Sequence, residues 1–161
     1  MERCVIQEEE VTKNILLWLK RMGWQIVCYD YPQSGTGCSL KPNNSRTKNK
    51  GCINPDIVAV NKKSKVCLFF ENKNRFYRKD FIKQNALRTD NLYTHAIGKL
   101  LEEFSVDVIY YGIGLPLAKY TKIAAECAQL VDFVVGVDPL SETPKVLYTS
   151  SSSVFGAANQ K

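Results

Sequence analysis

The chain switches between two hydrophobic periods. Val11, Ile15, Leu19 and Met22, with Leu16 beside them, recur at three- and four-residue steps, which predicts an amphipathic helix over residues 8–22. Residues 24–31 read as a first strand. Ile57-Val58-Ala59-Val60 is an uninterrupted apolar run of strand length, Asn61-Lys62-Lys63-Ser64 is a polar turn, and residues 66–73 read as the return strand of a hairpin. Residues 79–104 are predicted helical with a break near Thr89 to Asn91. Residues 106–112 form a strand, 116–130 a helix, 133–137 a strand, and 146–148 an edge strand. Helix and strand alternate after the hairpin, which implies parallel pairings joined to an antiparallel one: an α/β fold with a mixed central sheet flanked by helices. One domain over residues 1–150 accounts for the pattern. Residues 151–161, small and serine-rich, read as a weakly ordered tail.

The hairpin carries the candidate chemistry. Asn54-Pro55-Asp56 opens its first strand and Glu71-Asn72-Lys73 closes its second. Alternate side chains of a strand share a face, so Glu71 and Lys73 point the same way. The start of one hairpin strand lies beside the end of the other, so Asp56 and Glu71 converge at one end of the sheet. Two carboxylates on rigid strands suit Mg²⁺, which binds one or two carboxylates and completes its shell with water and phosphate. An adjacent lysine orients the attacking water, or acts as a base if its pKa is depressed.

Pro55-Asp56 with Glu71-Asn72-Lys73 resembles the signature of the PD-(D/E)XK nuclease superfamily, and the element order extends the resemblance over roughly residues 5 to 138. The resemblance implies a restriction-endonuclease-like core in which Asp56 and Glu71 are metal ligands and Lys73 is the catalytic lysine. Many members also carry an acid on the first helix, and Glu8, Glu9 and Glu10 are the candidates here. Glu8 lies one turn before Val11 and in line with Ile15, on the expected buried edge, whereas Glu9 and Glu10 drift away from the apolar stripe.

Charge sharpens this picture. The chain carries 22 Lys and Arg against 16 Asp and Glu, a net +6. Residues 33–88 hold thirteen basic residues and three acids, and two of those acids are Asp56 and Glu71. Basic residues gathered around a carboxylate pair are the footprint of a polyanion partner. Within that region residues 32–54 read as a long loop rich in Gly, Ser, Asn and Pro, bearing Lys41, Arg46, Lys48 and Lys50 and no acid. With Arg75 and Arg78, these are the expected DNA contacts. Gly35-Thr36-Gly37 lacks the Gly-Lys-Ser/Thr ending of a nucleotide-binding loop.

Composition removes other classes. No apolar stretch approaches the ~18 residues of a membrane span, and the first residues lack the form of a signal peptide, so a cytoplasmic protein is expected. The six cysteines form no Cys-x-x-Cys pair; Cys38 and Cys52 flank the basic loop, and the only histidine, His95, stands far from both along the chain, which argues against zinc. The expectation is a Mg²⁺-dependent DNA endonuclease, a type II restriction enzyme or its strand-cleaving subunit. A Holliday-junction resolvase and a catalytically silent DNA-binding subunit are the alternatives. One such site cuts one strand, so double-stranded DNA requires a second copy of the chain or a larger recognition and cleavage subunit.

Overall fold

Among the described residues six strands form a single sheet in chain order: β1 (Gln25–Tyr29), β2 (Ile57–Asn61), β3 (Val66–Asn72), β4 (Val108–Pro116), β5 (Phe133–Val137) and β6 (Lys145–Thr149). β1, β2 and β3 are antiparallel neighbours, β3, β4 and β5 are parallel, and β6 returns antiparallel to β5. This is the mixed α/β sheet expected from the alternating pattern. The computed structural model describes residues 6–30, 36–43, 51–141 and 143–156.

Helices cover both faces. α1 (Glu8–Arg21) lies on one, where Ile15 and Leu19 pack with Ile57, Ala59, Leu68 and Phe70. α2 (Arg78–Asp90), α3 (Thr94–Leu100) and α4 (Lys122–Cys127) occupy the other; there Val58, Val60 and Phe69 meet Ile97 and Leu101, and Ile113 and Leu115 meet Phe81 and Cys127. All seven residues of β3 are buried, which is why its apolar run is nearly continuous rather than alternating. α2 and α3 are separated at Asn91, which takes a left-handed φ of 54° and stops α2.

Three expectations are corrected. No helix begins at Pro116: β4 runs to that residue, a single 3₁₀ turn covers Leu117–Lys119, and α4 starts only at Lys122. The parallel pairing with β5 extends through Pro116, so tertiary pairing overrides the local helical pattern. The basic loop is not structureless throughout. Leu40 and Ile53 form an antiparallel bridge and are both buried, and Asn43 ties the loop to the α2–α3 junction by accepting from the His95 amide at 3.1 Å and donating to Thr94 at 2.9 Å. The chain after Ser150 is also not a loose tail over its whole length. Val154 and Phe155 are buried, and the Phe155 ring lies 5.4 Å from Trp18 and 5.5 Å from Phe133. Apolar area removed from water at these two positions outweighs the entropy that a polar, small-residue segment would otherwise keep. Phe155→Ala should therefore cost ~3–5 kcal/mol in a urea melt. A loss under ~1 kcal/mol would show that the C-terminal segment is dispensable to the core.

The described cysteines are unbridged. Cys28 and Cys38 share a hydrogen bond, which pushes the Cys28 thiol up and, with burial adding to the rise, leaves it protonated; the same contact holds Cys38 down. His95 is exposed on α3.

Candidate active site

Two backbone hydrogen bonds place Asp56. Its amide donates to Phe70 O at 3.0 Å and its carbonyl accepts from Asp30 N at 2.8 Å, so the residue is fixed between β1 and β3 just before β2 begins. Its Oδ2 accepts from the Asn72 amide at 2.7 Å. Glu71 stands on β3 and is only 7% exposed. The hairpin thus brings the two carboxylates together, close enough to share a hydrogen bond. That bond requires a proton, and Asp56 carries it: burial first, then the charge of Glu71, push its carboxyl up to about 8 against the opposing Asn72 amide.

Lys73 follows β3 and faces the same way as Glu71, with Nζ 3.8 Å from Glu71 Oε2 and 3.6 Å from Glu8 Oε1. Burial pulls its pKa down, but Glu8, Glu71, Asp80 and Asp56 together hold it above the usual lysine range. Lys73 is therefore a standing cation here, a donor and orienter rather than a base. Glu8 reaches the cluster from solvent and not from a buried edge, its side chain being 49% exposed. α1 is aimed by the residue one turn later: Thr12 accepts from the buried Asn72 side chain at 3.0 Å, and residues four apart share a helix face. Gly114 makes this approach possible, since a methyl there would collide with Asn72 Oδ1 and Ile15 Cδ1. Glu9 faces Lys13 instead, at 3.1 Å.

α2 adds two residues that sequence reasoning missed. Lys83 Nζ donates to Glu71 Oε1 at 2.8 Å, closer than Lys73. Asp80 lies one turn earlier with a buried Oδ2 that no group pairs, and burial followed by the charge of Glu71 raises its pKa. Gln84 fixes this helix by donating to Phe69 O at 3.1 Å and Gly112 O at 2.7 Å. The spacing of Asp80 and Lys83 was the available signal, but which face of α2 meets the sheet is set by Gln84 and Phe81, whose contacts lie far apart in sequence.

The expected DNA contacts divide. Arg75 and Arg78 are exposed just beyond Lys73, and the Arg75 guanidinium sits 4.9 Å above the Tyr77 ring. Lys41 is exposed on the loop stem, and Arg46, Lys48 and Lys50 lie outside the described residues. A groove of about 720 Å³ opens past Arg75 at the ends of β4 and β5, lined by Leu117, Lys119, Asp138 and Leu140.

Two solved structures share similarity with the chain. One is an XisH family protein from Nostoc punctiforme PCC 73102, 16% identical over 86% of this chain and 98% of that one, with a TM-score of 0.44. The other is an FdxN element excision controlling factor protein from Anabaena variabilis, 18% identical over 88% of this chain and 98% of that one, with a TM-score of 0.42. No protein-family model matches the chain. No curated protein matches it either.

The donor set fits a hard divalent cation. Among the described residues no cluster of three or more His, Cys, Asp and Glu side chains has metal-holding spacing, and a bound cation would have the Asp56–Glu71 pair as the protein's share of its shell. Mg²⁺ needs no more than one or two carboxylates. The repulsion between the buried Glu71 and the half-buried Asp56 would be relieved by a cation as well as by a proton. No helix among the described residues is long and apolar enough to cross a membrane.

Proposed function

We propose that the chain is a Mg²⁺-dependent DNA endonuclease of the PD-(D/E)XK type, a restriction enzyme or its strand-cleaving subunit acting in the cytoplasm. The observation that carries this reading is that the β2–β3 hairpin brings Asp56 and the buried Glu71 together, with the Lys73 ammonium 3.8 Å from Glu71. Asp56 and Glu71 would hold the metal. When bound, Mg²⁺ supplies Lewis-acid stabilisation of charge developing on the phosphate.

The chain's own groups do the remaining work. Lys73, kept cationic by its acidic neighbours, orients the attacking water and presents a proton to the phosphate oxygens. Glu8 positions Lys73 from the opposite side. Arg75, Arg78 and the loop lysines neutralise the DNA backbone, which favours binding in a salt-dependent way. Gln84 and the Asn72–Thr12 bond keep α2 and α1 in register with the carboxylates, so the cluster is assembled before substrate arrives. A double-strand cut still needs a second centre, from another copy or from a larger subunit that also contributes recognition surface.

The test is cleavage of a supercoiled plasmid and a four-way junction by the purified chain, with Mg²⁺ and with EDTA. Mg²⁺-dependent nicking of the plasmid is expected, and specific double-strand cleavage once a partner subunit is supplied. Cleavage confined to the junction would move the assignment to a resolvase. No cleavage of either DNA by chain and partner together would leave a silent binding subunit.

A further inference from the structure

Glu71 is claimed twice. Lys83 holds its Oε1 at 2.8 Å and Lys73 lies 3.8 Å from its Oε2. A carboxylate expected to bind a metal thus has one oxygen hydrogen-bonded to an ammonium and the other facing a second ammonium beyond hydrogen-bond distance. A divalent cation cannot share an oxygen with an ammonium at hydrogen-bond distance without strong repulsion in a half-buried site. Lys83, the one at that distance, must leave, and the two lysines are not held equally. Lys73 is gripped from two sides, by Glu71 and by Glu8, and its side chain is 29% exposed. Lys83 is 41% exposed, against 9% for Glu71, so its head has an open route to solvent while its partner has none. Gln84 pins the backbone beside it, which makes Lys83 a swinging arm on a fixed pivot.

We propose that Lys83 is the resident counterion of this site: it neutralises Glu71 until a divalent cation takes that carboxylate, and the released ammonium then binds a backbone phosphate of the DNA. This regulation rests on the metal-dependent nuclease reading. A lysine suits the task, being a compact, strongly hydrated point charge on a flexible stem that moves between carboxylate and phosphate without a fixed fork to satisfy. Coupling follows from the exchange. Metal entry expels a positive charge toward the substrate, so cation and DNA bind with mutual assistance, and neither is favoured fully without the other.

The experiment uses the full chain and Ca²⁺, an oxygen-seeking cation, as the probe. Calorimetry compares wild type, Lys83→Met and Lys83→Arg, with melts in EDTA confirming the fold; if Lys83→Met melts well below wild type, Lys83→Gln carries the same measurement. Removing the competing ammonium should tighten Ca²⁺ binding about tenfold, the size of one charge-assisted hydrogen bond. Lys83→Arg should stay near wild type. In Ca²⁺ the salt dependence of DNA binding by Lys83→Met should lose ~0.9 from its log–log slope, one phosphate contact, and in EDTA it should not change. Equal or weaker Ca²⁺ affinity in Lys83→Met, beside clear binding by wild type, would overturn the counterion role alone. Absence of Ca²⁺ binding by wild type and variant alike would bring down the metal site itself.

Discussion

Asp56→Ala and Glu71→Ala should each lower Mg²⁺-dependent DNA cleavage by about 10³-fold or more, equivalent to about 4 kcal/mol of transition-state stabilisation. The reason is that the proposed shell takes both of its carboxylates from this pair, and no cluster of three or more such side chains with metal-holding spacing stands among the described residues to replace either. DNA binding should survive, or tighten slightly, because each substitution removes a negative charge that repels phosphate. Binding in EDTA and cleavage in Mg²⁺, measured on the same preparations, separate the two effects. Full cleavage by either alanine variant would refute the assignment. Asp132 shows what a structural carboxylate looks like in the same fold. It is buried, and Arg88 at 3.1 Å, the Tyr111 amide at 2.9 Å and Ser150 at 3.2 Å satisfy it. Asp56 instead faces another acid, an arrangement that costs stability and suits a functional site.

That cost is measurable. In the metal-free protein Asp56→Asn should raise stability at pH 8 by ~1–3 kcal/mol, the range for relieving an unfavourably buried polar group. The isosteric amide still accepts the Asn72 amide bond and needs no shared proton. The pH dependence follows from the direction of the shift. The folded carboxyl titrates at about 8, the unfolded one near ~3.9. Between these values the native state holds a proton that the unfolded chain has lost, so the stability it contributes is complete below the lower value and disappears as pH rises through the upper one. Wild type should therefore weaken from about pH 4 to pH 8, and Asp56→Asn should flatten that slope. Added Mg²⁺ should restore wild type at pH 8 and leave the variant little changed. Urea melts at three pH values in EDTA decide this: a wild-type profile matching that of Asp56→Asn would show that the pair carries no mutual strain.

The hairpin and its carboxylates were legible because they are local. Val58, Phe69 and their neighbours alternate or run on in a way only a strand pair accommodates, and a four-residue turn leaves one register. Once that register is set, Asp56 must fall opposite Glu71, and Lys73 must share its face. α1 was likewise visible in its apolar steps, and Asn91 marked the break after α2. Residues 116–130 misled because their local helical preference is weak beside the ladder that β4 makes with β5, whose hydrogen bonds appear only when distant segments meet.

Sequence by itself determined, for this protein, the helix–strand alternation that gives the α/β class and the meeting of Asp56, Glu71 and Lys73 at one end of a hairpin, because each follows from local periodicity and spacing. Tertiary structure alone decided the rest of the site. Lys83 and Asp80 arrive because Gln84 clamps α2 across β3 and β4, and Glu8 arrives because Thr12 meets Asn72 sixty residues away. It also decided that Phe155 belongs to the core. Side chains separated by long loops are brought together by packing, and periodicity carries information only about the element in which it occurs.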